Sequence, residues 1–140
     1  MFTPKDLNKT IILNGYTFHV YSIEDFDFNC GLDVTIKHGL YCFTERIKTE
    51  ITKLNHLNTF VYHHNLLYLG KAEGTYGIEQ RLQSNHNKYK LLKNNANCVC
   101  LCTCDSNVDV KSIESEILNL FSFKYNEAEN NNKMNKETVN

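Results

Sequence analysis

Two short runs of β-branched and aromatic residues, Thr10-Ile11-Ile12-Leu13 and Tyr16 to Tyr21, flank Asn14-Gly15. Asn-Gly between such runs predicts a two-residue hairpin, because both turn positions need a positive φ. Glu24 to Gly31 is acidic with scattered Phe and reads as a loop. Residues 39–44 read as a short strand. Across 45–58, Ile47, Ile51, Leu54 and Leu57 recur at helical spacing in a polar background, which predicts a surface helix. Strand character returns at 60–62 and again at 66–70, after a polar break at His63-His64-Asn65. Glu73 to Gly77 is a turn. A helix follows over about 78–92, with Ile78, Leu82, Tyr89 and Leu92 on one side, then a strand at 98–104. A last helix is predicted over 110–121, capped by Asp109, with Val110, Ile113, Ile117, Leu120 and Phe121 as its apolar stripe. Residues 127–140 are almost devoid of apolar side chains and read as a disordered tail.

The chain has 140 residues and is 41% apolar, enough for one domain with a core of its own. Neither a signal peptide nor a membrane span stands out, so the expected compartment is the cytoplasm, or the nucleus for a eukaryotic or viral chain. A net charge of −1 disfavours a nucleic-acid coat protein. It still leaves room for a local basic patch from Lys71 through Arg81, Lys88, Lys90 and Lys93. Cys98, Cys100, Cys102 and Cys104 alternate with other residues. On a strand they share one face with steps of about 6.6 Å, too far apart for the usual zinc knuckle. They read as free thiols on a core strand.

Two triplets place a tyrosine beside a glycine, Gly39-Leu40-Tyr41 and Tyr68-Leu69-Gly70. Period-two alternation turns Leu40 and Leu69 away from the tyrosine face, so paired strands would bring Tyr41 and Tyr68 together. By itself this is also what ordinary sheet packing produces. Glu114 says more. At 100° per residue it falls within the apolar arc of the last helix whereas Glu116 falls outside, and a carboxylate on such an arc needs a cation, a hydrogen bond or a metal. Arg81, at the edge of the preceding helix's stripe, could supply the cation. His86 lies in an Asn-rich stretch where that helix ends.

In this order the residues resemble the GIY-YIG nuclease superfamily. Gly39-Leu40-Tyr41 matches its first signature, Tyr68-Leu69-Gly70-Lys71 its second, Arg81 its helix-borne arginine and His86 the histidine that often follows. Glu114 through Tyr125-Asn126 matches its closing element. The resemblance spans residues 39–126. It implies an α+β fold, a small three-stranded, mostly antiparallel sheet (39–44, 66–71 and 98–104) flanked by the helices at 78–92 and 110–121. Residues 1–38 would be an extension carrying the hairpin. The family joins its signatures by a short connection, whereas here an insertion near 45–62 would separate the two signature strands.

The activity implied is metal-dependent hydrolysis of DNA phosphodiester bonds. Glu114 would bind Mg²⁺ or Mn²⁺, Arg81 would hold the scissile phosphate, and Tyr41 would act as general base with His86 as its partner. Tyr68 would hydrogen-bond the nucleophile or the phosphate, with Lys71 adding charge and Asn126 bracing the site. The extension and the insertion are natural places for target recognition or for a homodimer, one route to double-strand cleavage. The alternative reading is a binding domain for nucleic acid or protein with the same fold and no catalysis.

Overall fold

The computed structural model describes residues 3–6, 8–23, 38–54, 57–73 and 96–126. They form β1 (Lys5–Asp6), β2 (Thr10–Leu13), β3 (Tyr16–Ser22), β4 (Gly39–Leu54), β5 (Leu57–Ala72), β6 (Cys98–Thr103) and α1 (Val110–Leu120). The six strands make one antiparallel sheet in the order β1-β5-β4-β6-β3-β2. Its edge strands β1 and β2 are neighbours in sequence and approach each other in space, so the sheet curls into a nearly closed barrel. That disposes of most of the open edge a flat sheet would leave.

This corrects the expectation of a three-stranded sheet flanked by helices. The three expected strands are present as the adjacent trio β5, β4 and β6, but they are the middle of a larger sheet. Two features enlarge it. The hairpin at Asn14-Gly15 forms as predicted, with φ of 53° and 82° at its turn, yet it is no appendage. Its second arm pairs with β6 from His19 opposite Leu101 to Ser22 opposite Cys98.

The expected helix across 45–58 is instead the continuation of the signature strands. β4 and β5 pair from Gly39 opposite Ala72 all the way to Leu54 opposite Leu57. Thr44, Ile47, Thr49, Ile51 and Thr52 are β-branched and favour an extended chain. The helical spacing of Ile47, Ile51 and Leu54 is overridden by a partner strand that satisfies every second backbone group. The helix expected at 78–92 and the tail at 127–140 lie outside the described residues.

Alternation splits the core in two. On one face Leu40, Cys42 and Leu69 join Cys98, Cys100 and Cys102 and the inward residues of β2 and β3, and α1 packs there through Val110, Ile113, Ile117 and Leu118. On the other face lie Tyr41, Phe43, Leu67, Val99 and Leu101. A bulge at Phe43/Thr44 leaves Leu67 unpaired, which puts the consecutive Leu67 and Tyr68 on the same side. α1 starts at the expected cap, where the Asp109 carboxylate accepts from the Ser112 N–H at 3.2 Å. After α1 the chain rounds the outer edge of β5. The Lys124 and Tyr125 amides donate to the carbonyls of Leu66 and Leu67, at 3.2 and 2.7 Å.

Candidate functional site

Tyr41 lies directly opposite Gly70 in the β4–β5 ladder, and its ring crosses the glycine. A Cβ on Gly70 would sit 2.4 Å from Tyr41 Cζ and 2.5 Å from its hydroxyl oxygen, so the glycine of the second triplet makes room for the tyrosine of the first. Gly39 meets a similar constraint from β6, where a Cβ would lie 2.2 Å from the Cys102 carbonyl oxygen. Tyr68 stands beside Tyr41 with ring centroids 6.2 Å apart, and Phe43 meets Tyr41 edge-on at 6.2 Å. The Tyr41 ring is 2% exposed.

Asn126 is buried and acts as a strand residue without being in a strand. Its side-chain oxygen accepts from the Leu69 N–H at 2.9 Å, and its amide donates to the Leu69 carbonyl at 3.1 Å. The site thus has Asn126 fixed to the residue between Tyr68 and Gly70. Lys71 follows, its ammonium 3.3 Å from Glu73.

Glu114 is half-buried on α1, as its helical phase predicts, and Glu116 is exposed, accepting from the Asn14 side chain at 3.4 Å. The buried residues of α1 pack on the Leu40/Cys42/Leu69 face, whereas Tyr41 and Tyr68 belong to the opposite one. The structure therefore joins Tyr41, Tyr68 and Asn126, and sets Glu114 across the sheet from the tyrosines. Arg81 and His86 lie outside the described residues, as do Lys88, Lys90 and Lys93.

Sequence reasoning missed a second constellation. His64, read as part of a polar break, is fully buried within β5. Its Nδ1 lies 2.8 Å from the Thr44 hydroxyl and its Nε2 contacts the Asp6 carboxylate. Asp6 also accepts from Arg46 at 3.3 Å, and Arg46 stacks 3.7 Å over the Tyr62 ring. The contacts assign the tautomer. A neutral imidazole with its proton on Nε2 donates to Asp6 and accepts from the Thr44 O–H, leaving that oxygen free to accept from the Cys100 thiol at 3.8 Å.

Burial pushes His64 below its usual titration range, and Asp6 opposes the shift. Hydroxyl, imidazole and carboxylate stand in the order of a hydrolytic relay, but all three are buried, so a substrate cannot reach them and their role is structural. The readable signal was alternation. His64 shares a face with Leu66, the same argument that picked out Glu114.

The cysteines sit as a core face. Cys98, Cys100 and Cys102 are buried with Cys42, and Cys104 packs at the rim. Burial raises the thiols of Cys98 and Cys102 to about 12 and that of Cys42 well above its ordinary range. At neutral pH these are protonated thiols, poor nucleophiles and poor metal ligands.

For a hard cation, no cluster of three His, Cys, Asp or Glu side chains exists among the described residues. A single carboxylate is nevertheless compatible with Mg²⁺, which keeps several waters and takes further oxygens from substrate phosphates. Among the described residues no helix is long and apolar enough to cross a membrane.

No protein-family model matches the sequence, and no curated protein or solved structure matches it significantly.

Proposed function

We propose that the chain is a metal-dependent endonuclease that hydrolyses DNA phosphodiester bonds. The observation that carries this reading is the cross-strand arrangement of the two signature triplets, with Tyr41 laid over Gly70 and Tyr68 at its side. Ordinary sheet packing accounts for one such tyrosine. It gives no reason for both glycines to be sites of close approach, nor for Asn126 to grip the backbone between Tyr68 and Gly70.

In this reading Tyr41 takes the proton from the attacking water and Tyr68 orients the phosphate, while Asn126 keeps the Tyr68 strand in register. Glu114 would hold Mg²⁺ or Mn²⁺, and such an ion, when bound, offsets negative charge on a phosphate and acidifies water. Arg81 and His86 keep the roles that the family resemblance assigns them.

A second reading, a nucleic-acid or protein binding domain with the same hairpin and no catalysis, is favoured by one observation. Tyr41 is nearly inaccessible and Glu114 lies across the sheet from it.

Supercoiled plasmid separates the two. Nicking that needs Mg²⁺ or Mn²⁺ and stops with a chelator is expected of the parent. Glu114→Gln should lower the rate by orders of magnitude, since a charged contact to the transition state is worth several kcal/mol, while Glu116→Gln should leave it near the parent rate. Absence of nicking by the parent would establish the binding reading. Equal nicking by the parent and Glu114→Gln would remove Glu114 from the centre.

A further inference from the structure

β3 ends at Ser22 and β6 begins at Cys98, but β4 runs on to Leu54. Where the long hairpin outruns its neighbours, a cleft of about 490 Å³ opens, lined by Ser22, Arg46, Lys48, Tyr62 and Asn97 over a small apolar floor. One face of β4 grades along its length from Leu40 and Cys42 in the core, through buried Thr44, to Arg46 and then exposed Lys48. The polar end of that face is the cleft wall.

We propose that this cleft binds a phosphoryl group through Arg46 and Lys48. The guanidinium is fixed before any ligand arrives. Asp6 holds one terminal nitrogen at 3.3 Å, and Tyr62 stacks beneath it at 3.7 Å. Its backbone is clamped by Asn97, whose side chain accepts from the Arg46 N–H at 2.6 Å and donates to its carbonyl at 3.0 Å. Little rotamer freedom remains to be lost on binding. The Arg46 side chain is still 22% exposed, and one donor on Asp6 leaves others of its planar fork for a second anion.

The local charge also favours an anion. Two cations face the cleft against the single carboxylate of Asp6, which is shared with a neutral His64. Two positive groups two residues apart on one strand face suit the oxygens of a phosphate better than a lone carboxylate.

The site is five residues along β4 from Tyr41, roughly 16 Å away at the rise of a strand. It goes beyond the nuclease reading and does not depend on it. Phosphoryl groups of free phosphate, of a mononucleotide and of a nucleic-acid backbone share the chemistry, so the test uses all three.

Isotope-labelled full-length protein is titrated with inorganic phosphate, with a deoxymononucleotide and with a short DNA duplex, at matched ionic strength. Saturable shifts are expected at the amides of 46–48 and 97–98. Lys48→Gln, an exposed change that should fold, is expected to weaken binding at least about five-fold and to lower the salt slope for the duplex by about one. Lys48→Arg should restore both, and Lys111→Gln on α1 should change neither. A duplex that binds more tightly than the other probes identifies a nucleic-acid backbone, whereas equal affinities identify a free phosphate or mononucleotide. Absence of saturable shifts at these amides with all three probes, or Lys48→Gln binding as tightly as the parent, overturns the proposal. Since no cleavage is read, failure here leaves the plasmid test untouched.

Discussion

Gly70 and Tyr41 are coupled by volume, and the coupling is measurable. A methyl at Gly70 would meet the Tyr41 ring at 2.4 Å, and the ring has little freedom to swing, with Phe43 and Tyr68 both at 6.2 Å. Gly70→Ala is therefore expected to cost about 1–3 kcal/mol, the usual range for overpacking. In a Tyr41→Ala background the same substitution should cost almost nothing. Urea denaturation of the four proteins gives the coupling energy, and additive costs would show that the ring moves aside freely.

At this scale much was legible in the sequence. Alternation alone put Tyr41 and Tyr68 on one face, and helical phase separated half-buried Glu114 from exposed Glu116. The direct apposition of Tyr41 and Gly70 was not legible, because it depends on a register set by the whole hairpin. His64 was not either. Its burial is made acceptable by Asp6, 58 residues away, and no local pattern reports a partner so distant.

Elements that are self-contained were read well, and those completed by distant partners were not. α1 carries its own cap and apolar stripe, so its start and length follow from residues 109–120. Asn14-Gly15 likewise dictates its own turn. The segment at 45–58 is different, since its four apolar residues fit a helix and only the availability of 57–72 makes it a strand. The outer edge of β5 shows the same dependence on distant chain. β1 covers it at Tyr62 and His63, and beyond that the C-terminal segment takes over, with Asn126 as a side-chain substitute for a strand. Asn126→Ala strips the Leu69 N–H and carbonyl of partners in a buried place, which should cost about 2 kcal/mol. Hydrogen exchange localises the effect. The Leu69 amide should lose protection while the Tyr125 amide, bonded to the Leu67 carbonyl at 2.7 Å, changes less. Unchanged Leu69 exchange would mean that water replaces Asn126 without penalty.

Closure of the sheet rests on its shortest strand. β1 has two residues, too few for a ladder to hold it, and what anchors it is the Asp6 side chain inserted between His64 and Arg46. The His64 amide adds a bond to the Pro4 carbonyl at 2.9 Å. This makes closure of the barrel sensitive to pH in a direction that can be worked out. Burial depresses the titration of His64 below its ordinary 6.5, against the pull of Asp6. Above that value the imidazole is neutral in both folded and unfolded chains, and the contribution is fully present. As pH falls below about 6.5 the unfolded chain takes up a proton that the folded chain resists. Stability then declines, by at most about 1.4 kcal/mol per pH unit for one proton, until pH passes the folded value. His64→Gln keeps a polar side chain at the position but removes the titration. The variant should be less stable than the parent at pH 7.5, because the contact with Asp6 is lost or weakened. Its stability between pH 7 and 5 should nevertheless fall less steeply. Urea denaturation at several pH values reads both quantities from the same samples. A parent and variant with parallel pH profiles would place the acid sensitivity elsewhere, and would leave Asp6 holding β1 through Arg46 alone.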